Sequence, residues 1–537
     1  LLFGVAGLML VGFGFINHAR MGWISTLFGI LVLTIIFISF GSLASVQRQF
    51  PTEIALGLNP SWSVTKDTIF SGIKNFILGS GLGTFSVDFS RFRPENFNYN
   101  DVAWSLRFGY PFNSFFAFFA EGGVLLGLSF SFLFVFVLGY ILHSWLKSRP
   151  DSALKNVGDT LMIKKINLKI DIFVVSVAWI VLTLALSTYF FTSVVWWVWW
   201  LLLSLVLTGL SFINSNIITD KEWNVDDSPQ HSLSFSFVMI VVMIAVIMSG
   251  VCGAKMYMAE RAYSLAYHSS NLEEAEANLL KAINNRSGVD SYYIGLAQVY
   301  LNKAIEISQK ENPDAQAISL LLAEAVNQAK IATELSPSSV SLWENLAVMY
   351  ENAATVIPDA REWAIKSWGT ASELEPTSPV FFLKLGANYA LQENYEKAIE
   401  NYEKAIELKT NYSAAYLGLS GVYEIQQNEE KAIETYEKIL GIGINDIDVL
   451  FNYGRLLYNR DNGDDRTNAR DIWLAIVEKQ PNYSNALYSL GLYYESKNNF
   501  SEALKYYYKV RDLNEDNEQI KEKINSLTRT EALSTEE

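Results

Sequence analysis

The feature that most constrains this chain is a repeat in its C-terminal half. From Pro379 the residues Phe382, Leu385, Gly386, Tyr389, Ala398, Tyr402 and Ala405 set a pattern. It returns as Tyr416, Leu419, Ser420, Tyr423, Ala432, Tyr436 and Ile439, about 34 residues on. A third copy reads Leu450, Tyr453, Gly454, Leu457, Trp473 and Ile476, with a short insertion. A fourth reads Leu487, Leu490, Gly491, Tyr494, Ala503, Tyr507 and Val510. Within each copy the apolar residues fall three and four apart, the spacing of one helix face. Each copy therefore predicts two helices joined by a polar turn, with small residues where they cross and aromatics between copies. One hairpin cannot bury its apolar face alone, so successive hairpins must stack into a solenoid.

In period and residue type these copies resemble the tetratricopeptide repeat. Stretched versions precede them. One has Trp343, Leu346, Ala347 and Tyr350, then Ala364, Trp368 and Ala371; another has Leu296, Ala297 and Tyr300, then Ala325, Ala329 and Ala332. The solenoid is expected over residues 255–528, followed by a disordered tail over 529–537. A solenoid presents a concave surface, which predicts protein partners without naming them.

The N-terminal half is built from different residues. Phe, Leu, Ile, Val and Trp dominate up to about residue 255. A helical span needs about 20 apolar residues, and the runs 1–16, 22–41, 112–142, 171–190, 194–214 and 235–254 qualify or approach it. The first residue is Leu inside an apolar run, which reads as a fragment of a longer membrane protein. Trp196, Trp197, Trp199 and Trp200 read as an interfacial belt. The fold class expected is all-α: a polytopic transmembrane bundle over 1–254, then the α-solenoid. The loop 143–170 carries Lys147, Arg149, Lys155, Lys164, Lys165 and Lys169, so the positive-inside rule places it in the cytoplasm. The large loop 42–111 and the repeats then fall outside an inner membrane. The net charge of −15 argues against nucleic acid as a partner. One cysteine, Cys252, allows no intrachain disulfide, and no ligand-spaced cluster of His or Asp predicts a metal or another cofactor.

The outer loop holds the residues with chemistry. Trp62, Ile69, Phe70, Ile73 and Phe76 predict an amphipathic helix lying on the membrane surface. Gly79, Gly81 and Gly83 follow, where backbone can approach a ligand closely. Arg91, Arg93 and Arg107 are three guanidinium groups able to hold phosphate oxygens, or to pair with Asp88, Glu95 and Asp101. Glu121 lies within an apolar helix, where a charge is costly and a partner such as Arg107 is needed.

The order "ILGSGLGTF", a basic aromatic loop, then "NSFFAFFAEGGVLLG" and an apolar helix resembles the C-terminal membrane domain of the O-antigen ligase and polymerase family. The shared positions are Gly79, Gly81, Gly83, Phe85, Asn113, Phe115, Glu121, Gly123 and Gly127. The resemblance implies a membrane glycosyltransferase moving sugar from a polyprenyl-pyrophosphate carrier to an acceptor. Arg107, Glu121 and Asp101 would then be catalytic, and Arg91, Arg93, Gly79, Gly81, Gly83 and Asn113 would bind substrate. Phe112 stands where the family carries a histidine. The alternative is a membrane-anchored repeat scaffold for envelope or secretion assembly, without catalysis.

Overall fold

The computed structural model describes residues 55–100, 102–147, 159–186, 188, 190, 192–213 and 229–536. The expected spans 1–16 and 22–41, and Asp101, lie outside the described residues. The chain divides into two units, Leu1–Ser264 with Lys281–Ser287 and Leu265–Leu280 with Gly288–Glu537. Both are helical, and among the described residues there is no strand.

The first unit opens with α1 (Leu58–Phe70) and α2 (Ile73–Leu78). The sequence predicts one surface helix here; the structure has two. Ser71 Oγ donates to Thr68 O at 2.7 Å and receives the Asn75 amide at 2.7 Å, which closes α1 one residue before Gly72. Trp62, Phe70, Ile73 and Phe76 remain exposed as expected, but Ile69 turns inward and is buried. Helix α3 (Phe85–Phe92) and a 3₁₀ turn (Glu95–Tyr99) follow. Phe89, Phe97 and Phe108 meet edge to face at 5.5–6.0 Å, and with Leu56, Val64 and Phe85 they form a small core. The loop is thus a folded body with its own apolar centre.

Helix α4 (Ser114–Lys147) is broken at Gly123, whose φ of 65° and ψ of −169° are not helical. Past the break, Val137 and Ile141 pack with residues of α5 (Asp159–Ala185) and α6 (Ser193–Ile213). Gly209 of α6 lets Ile172 of α5 approach to a distance that a side chain would block. The tryptophan run of α6 does two jobs. Trp197 and Trp200 are exposed as a belt requires, but Trp199 is fully buried and donates to Thr183 Oγ1 at 2.9 Å. Helix periodicity turns successive residues about 100° apart, so one run of tryptophans must serve both core and surface. Helix α7 runs unbroken from Pro229 to His268. Among the described residues, Ser114–Ser144, Ser193–Ser211 and Leu233–His268 are long and apolar enough to cross a membrane. Asp171–Ala185 is a shorter apolar helix.

The second unit is a row of helical hairpins. After α8 (Leu272–Asn285) they pair α9 (Asp290–Ser308) with α10 (Ala315–Leu335) and α11 (Val340–Ala353) with α12 (Ala360–Leu374). Next come α13 (Pro379–Leu391) with α14 (Tyr395–Leu408), and α15 (Ser413–Ile425) with α16 (Glu429–Gly441). The last two are α17 (Ile447–Arg460) with α18 (Asp465–Lys479), and α19 (Ser484–Ser496) with α20 (Phe500–Leu513).

The turn inside a hairpin is itself a repeated device. Glu393, Gln427 and Asn498 adopt positive φ near 60°. The next residue in each case, Asn394, Asn428 or Asn499, sends its N–H back to Tyr389, Tyr423 or Tyr494 O at 2.8–2.9 Å. The same asparagine side chain then caps the second helix, through Lys397, Lys431 or Glu502 N. Polar side chains tie neighbouring hairpins: Glu351 accepts from Asn388 at 2.6 Å and Arg455 pairs with Glu424 at 2.7 Å, while Lys523, beyond the last hairpin, pairs with Glu495 at 2.9 Å.

The tail differs from expectation. Helix α21 (Glu518–Glu536) runs through most of the segment predicted to be disordered. Ile520, Ile524 and Leu527, spaced four and three apart, bury one stripe in the core of the last repeats. No glycine or proline follows to stop the helix before its end.

Candidate functional site

The glycine loop at 79–83 docks on the break in α4. Ser80 N–H donates to Ala120 O and Gly81 N–H to Glu121 O, each at 3.0 Å. A Cβ on Gly79 would lie 2.3 Å from the Glu121 carbonyl, and one on Gly123 would lie 2.5 Å from Ile77 O. Both glycines also have φ near +70°. These are backbone-to-backbone approaches that no other residue permits. Glu121 completes the joint. Its Oε1 accepts the Phe85 N–H at 3.3 Å, placing a carboxylate at the N-terminus of α3. Half-buried, Glu121 spends its charge on holding α3, which offsets the cost of an acid near apolar helices.

Beside it lies a second carboxylate. Asp88 is buried, with Oδ2 2.5 Å from Ser80 Oγ. Ser80 Oγ also lies 2.7 Å from Thr84 Oγ1 and 3.2 Å from Ala120 O, while Thr84 donates to Gly81 O. The Asp88 carboxyl is pushed up to about 6, chiefly by burial and partly by the Glu121 charge, against the Ser80 hydrogen bond and Arg91, which lower it. Asp88 and Glu121 thus form a close acidic pair under the glycine loop, with exposed Arg91 as the nearby cation.

The remaining predicted residues scatter. Arg93 is buried: its guanidinium donates to Asn98 Oδ1 at 2.8 Å and to Trp104 O, and lies 5.4 Å over the Phe97 ring. It holds the loop together. Asn113 is buried and caps α4, accepting Phe116 N–H at 2.8 Å. Arg107 is half-buried in the stretch leading to α4. Phe112 is fixed by its own N–H to Ser61 Oγ at 2.8 Å. The backbone donors of Ser80 and Gly81 are spent on α4; Gly83, exposed and with open space around it, is the loop glycine left facing solvent. A cavity of about 560 Å³ opens between the start of α1 and residues 94–108. None of Arg91, Arg93, Arg107, Gly79, Gly81, Gly83, Asn113 or Glu121 lines it. Among the described residues no group of three or more His, Cys, Asp and Glu converges as metal ligands would.

What sequence reasoning missed is Ser80 and Thr84, which join Asp88 to the loop. The signal was their place between the glycines and Asp88, one and two helical turns apart.

In the second unit the first helices of successive hairpins touch one another along one side, α13 on α15, α15 on α17 and α17 on α19. Leu391 and Ile425, the last residues of α13 and α15, are exposed. Residues 379–412, 413–442 and 452–518 each match family models described as tetratricopeptide repeats. The second unit carries tetratricopeptide repeats. Solved structures similar to the chain include a tetratricopeptide repeat protein from Parabacteroides merdae, at 15% identity over 51% of this chain and 99% of that one, TM-score 0.36. Another is the C-terminal part of a repeat-containing protein from Cytophaga hutchinsonii, at 15% identity over 49% and 98%, TM-score 0.37. A third is YrrB, a tetratricopeptide protein described as having an unusual peptide-binding site, at 22% identity over 36% and 95%, TM-score 0.28. Among curated proteins none matches the chain. Tetratricopeptide repeats are protein-interaction scaffolds, and their stacked helices supply the surface for it.

Proposed function

We propose that this protein is a multi-pass inner-membrane protein that handles a polyprenyl-pyrophosphate-linked glycan at the outer face and holds a protein partner or acceptor on its tetratricopeptide solenoid. One observation carries the reading. The two segments that resemble the O-antigen ligase and polymerase family, 79–85 and 113–127, are bonded to each other through Ser80, Gly81 and Glu121. Segments that make one structural joint have a reason to occur together in a sequence.

In this reading the exposed apolar residues of α1 and α2 bed in the headgroup region beside the apolar helices. Arg91 and Arg107 supply positive charge for a diphosphate. Asp88, with its carboxyl near 6, is suited to accept a proton from an acceptor hydroxyl. Glu121 positions the loop. The solenoid holds nearly all the excess negative charge of the chain, which favours a partner with basic segments. The test is a transfer assay with full-length protein, a polyprenyl-pyrophosphate glycan and a set of acceptors. Arg107→Ala is expected to lose transfer with the fold retained; full activity would reject the assignment. Phe112, in place of the family's histidine, favours a second reading in which the protein is a non-catalytic anchored scaffold. Absence of transfer by the full-length wild type, with partner capture intact, would support that reading.

A further inference from the structure

The cavity in the first unit has a lining unlike the acidic joint. Its walls are the first turn of α1, the 3₁₀ turn and the loop after it. Its volume, about 560 Å³, falls within the range of small-molecule sites, about 300–1,000 Å³. No lining residue among those described is charged. Asn59 and Asn96 line it with exposed side-chain amides, each offering two donors and an acceptor. Tyr99 adds an exposed ring and hydroxyl, and Pro60 a further apolar surface. The floor is apolar and fixed. Phe97 and Phe108 are buried there and meet edge to face. Arg93 locks this wall from behind, through Asn98 and the Trp104 carbonyl.

We infer that this cavity is a subsite for a neutral sugar unit. Such a unit presents hydroxyls that need uncharged groups able both to donate and to accept, and a face of C–H bonds that packs on rings. Amides beside tyrosine and proline meet both needs. Among the described lining residues a diphosphate would find no cation and a cationic group no carboxylate, and an acyl chain would leave the asparagine amides without polar partners. The same chemistry serves a sugar on the carrier or on the acceptor. The inference rests on the glycan-handling reading above and assigns the glycan end of the ligand to a place separate from Arg91 and Glu121. It also gives buried Arg93 a role as a positioning residue.

The test uses the full-length protein in detergent and saturation-transfer NMR. The probes are maltotriose, triacetylchitotriose and, as an anionic counterpart, trigalacturonic acid. Binding of a neutral trisaccharide, with at least tenfold weaker binding in Asn59→Leu/Asn96→Leu of unchanged circular dichroism, is the expected result. No neutral binding, tighter binding of the acid, or undiminished binding in the double variant would overturn the inference. The transfer assay separates the two proposals. Sugar binding that depends on Asn59 and Asn96 without any transfer rejects the enzymatic reading alone. Transfer with an unchanged KM in the double variant rejects the cavity alone. In Arg93→Lys, which keeps one charge but loses the fork, weaker sugar binding with intact circular dichroism supports positioning; unchanged binding removes Arg93 from the site.

Discussion

Glycine appears in both units at close contacts, and the two sets are not equivalent. In the repeats, Gly386 faces the Tyr402 ring, Gly454 faces Trp473 and Gly491 faces Tyr507. Each lets a large side chain lie across a helix crossing. In the first unit, Gly79 and Gly123 face backbone atoms and have positive φ. A side chain can rotate or shift; a carbonyl in a helix cannot. The buried carboxylates differ in the same spirit. Asp88 meets a hydroxyl and a second acid, so burial raises it. Asp465 is also buried but receives both Nε and Nη2 of Arg460, at 2.7 and 2.9 Å, and that fork lowers it. The repeats balance Asp465 with an arginine fork, whereas the joint under the glycine loop leaves Asp88 shifted upward and so unbalanced. Unbalanced groups of this kind mark functional centres more often than scaffolds.

The strongest way to break this contrast is Gly79→Ala. At φ 72° and ψ −175° Gly79 occupies a region essentially closed to other residues, costing alanine about 1–3 kcal/mol, and a backbone clash adds about 1–3 kcal/mol. Undocking of the loop is expected, read as proteolytic cleavage within 79–92. A protected loop would show that the approach is not essential. The next effect is the pH response of the same joint. Between about pH 4 and 6 native Asp88 keeps a proton that the unfolded chain has lost, so this group favours folding on the acid side. That advantage disappears as pH rises through 6, a change of about 2–3 kcal/mol. Hydrogen exchange over 80–92 should speed up between pH 4 and 6.5 beyond its intrinsic rate, and Asp88→Asn should remove the excess. Asp465 should act in the opposite sense: its stabilisation is present above the ordinary carboxylate range and is lost as pH falls below it.

Gly454→Ala tests the other half. The methyl would lie 2.8 Å from Nε1 of the buried Trp473 ring, which can shift as a unit where a helix carbonyl cannot, so about 1–2 kcal/mol is expected. The readout is hydrogen exchange of α17 and α18, and a loss as large as that of Gly79→Ala would erase the distinction. The smallest effect is a gain. Gln427→Gly relieves a left-handed residue at a hairpin turn and should stabilise α15 and α16 by about 0.5–1 kcal/mol. Slower exchange in those helices checks it.

Sequence reading worked best where contacts recur. Tyr389, Tyr423 and Tyr494 read as core because the same residue type returns at the same phase; Tyr423 is buried, while Tyr389 and Tyr494 are half-buried. The pairing of 79–85 with 113–127 was legible as two motifs but not as one joint, because the bonds are between backbone groups about 40 residues apart. Arg93 shows why a side chain's partners are not legible in sequence. An arginine that grips a phosphate and one that grips Asn98 and a carbonyl look alike until its neighbours are known. The same holds for Trp199, one of four tryptophans in a run but the one whose angle on α6 turns it fully inward.

Periodicity alone determined the helices, the hairpins and the apolar stretches able to cross a membrane, because those depend on spacing along one segment. Only the tertiary structure decided which polar residues are spent on holding the fold and which remain available. That choice depends on what lies across a gap of a few ångströms, and a linear order of residues does not encode such distances.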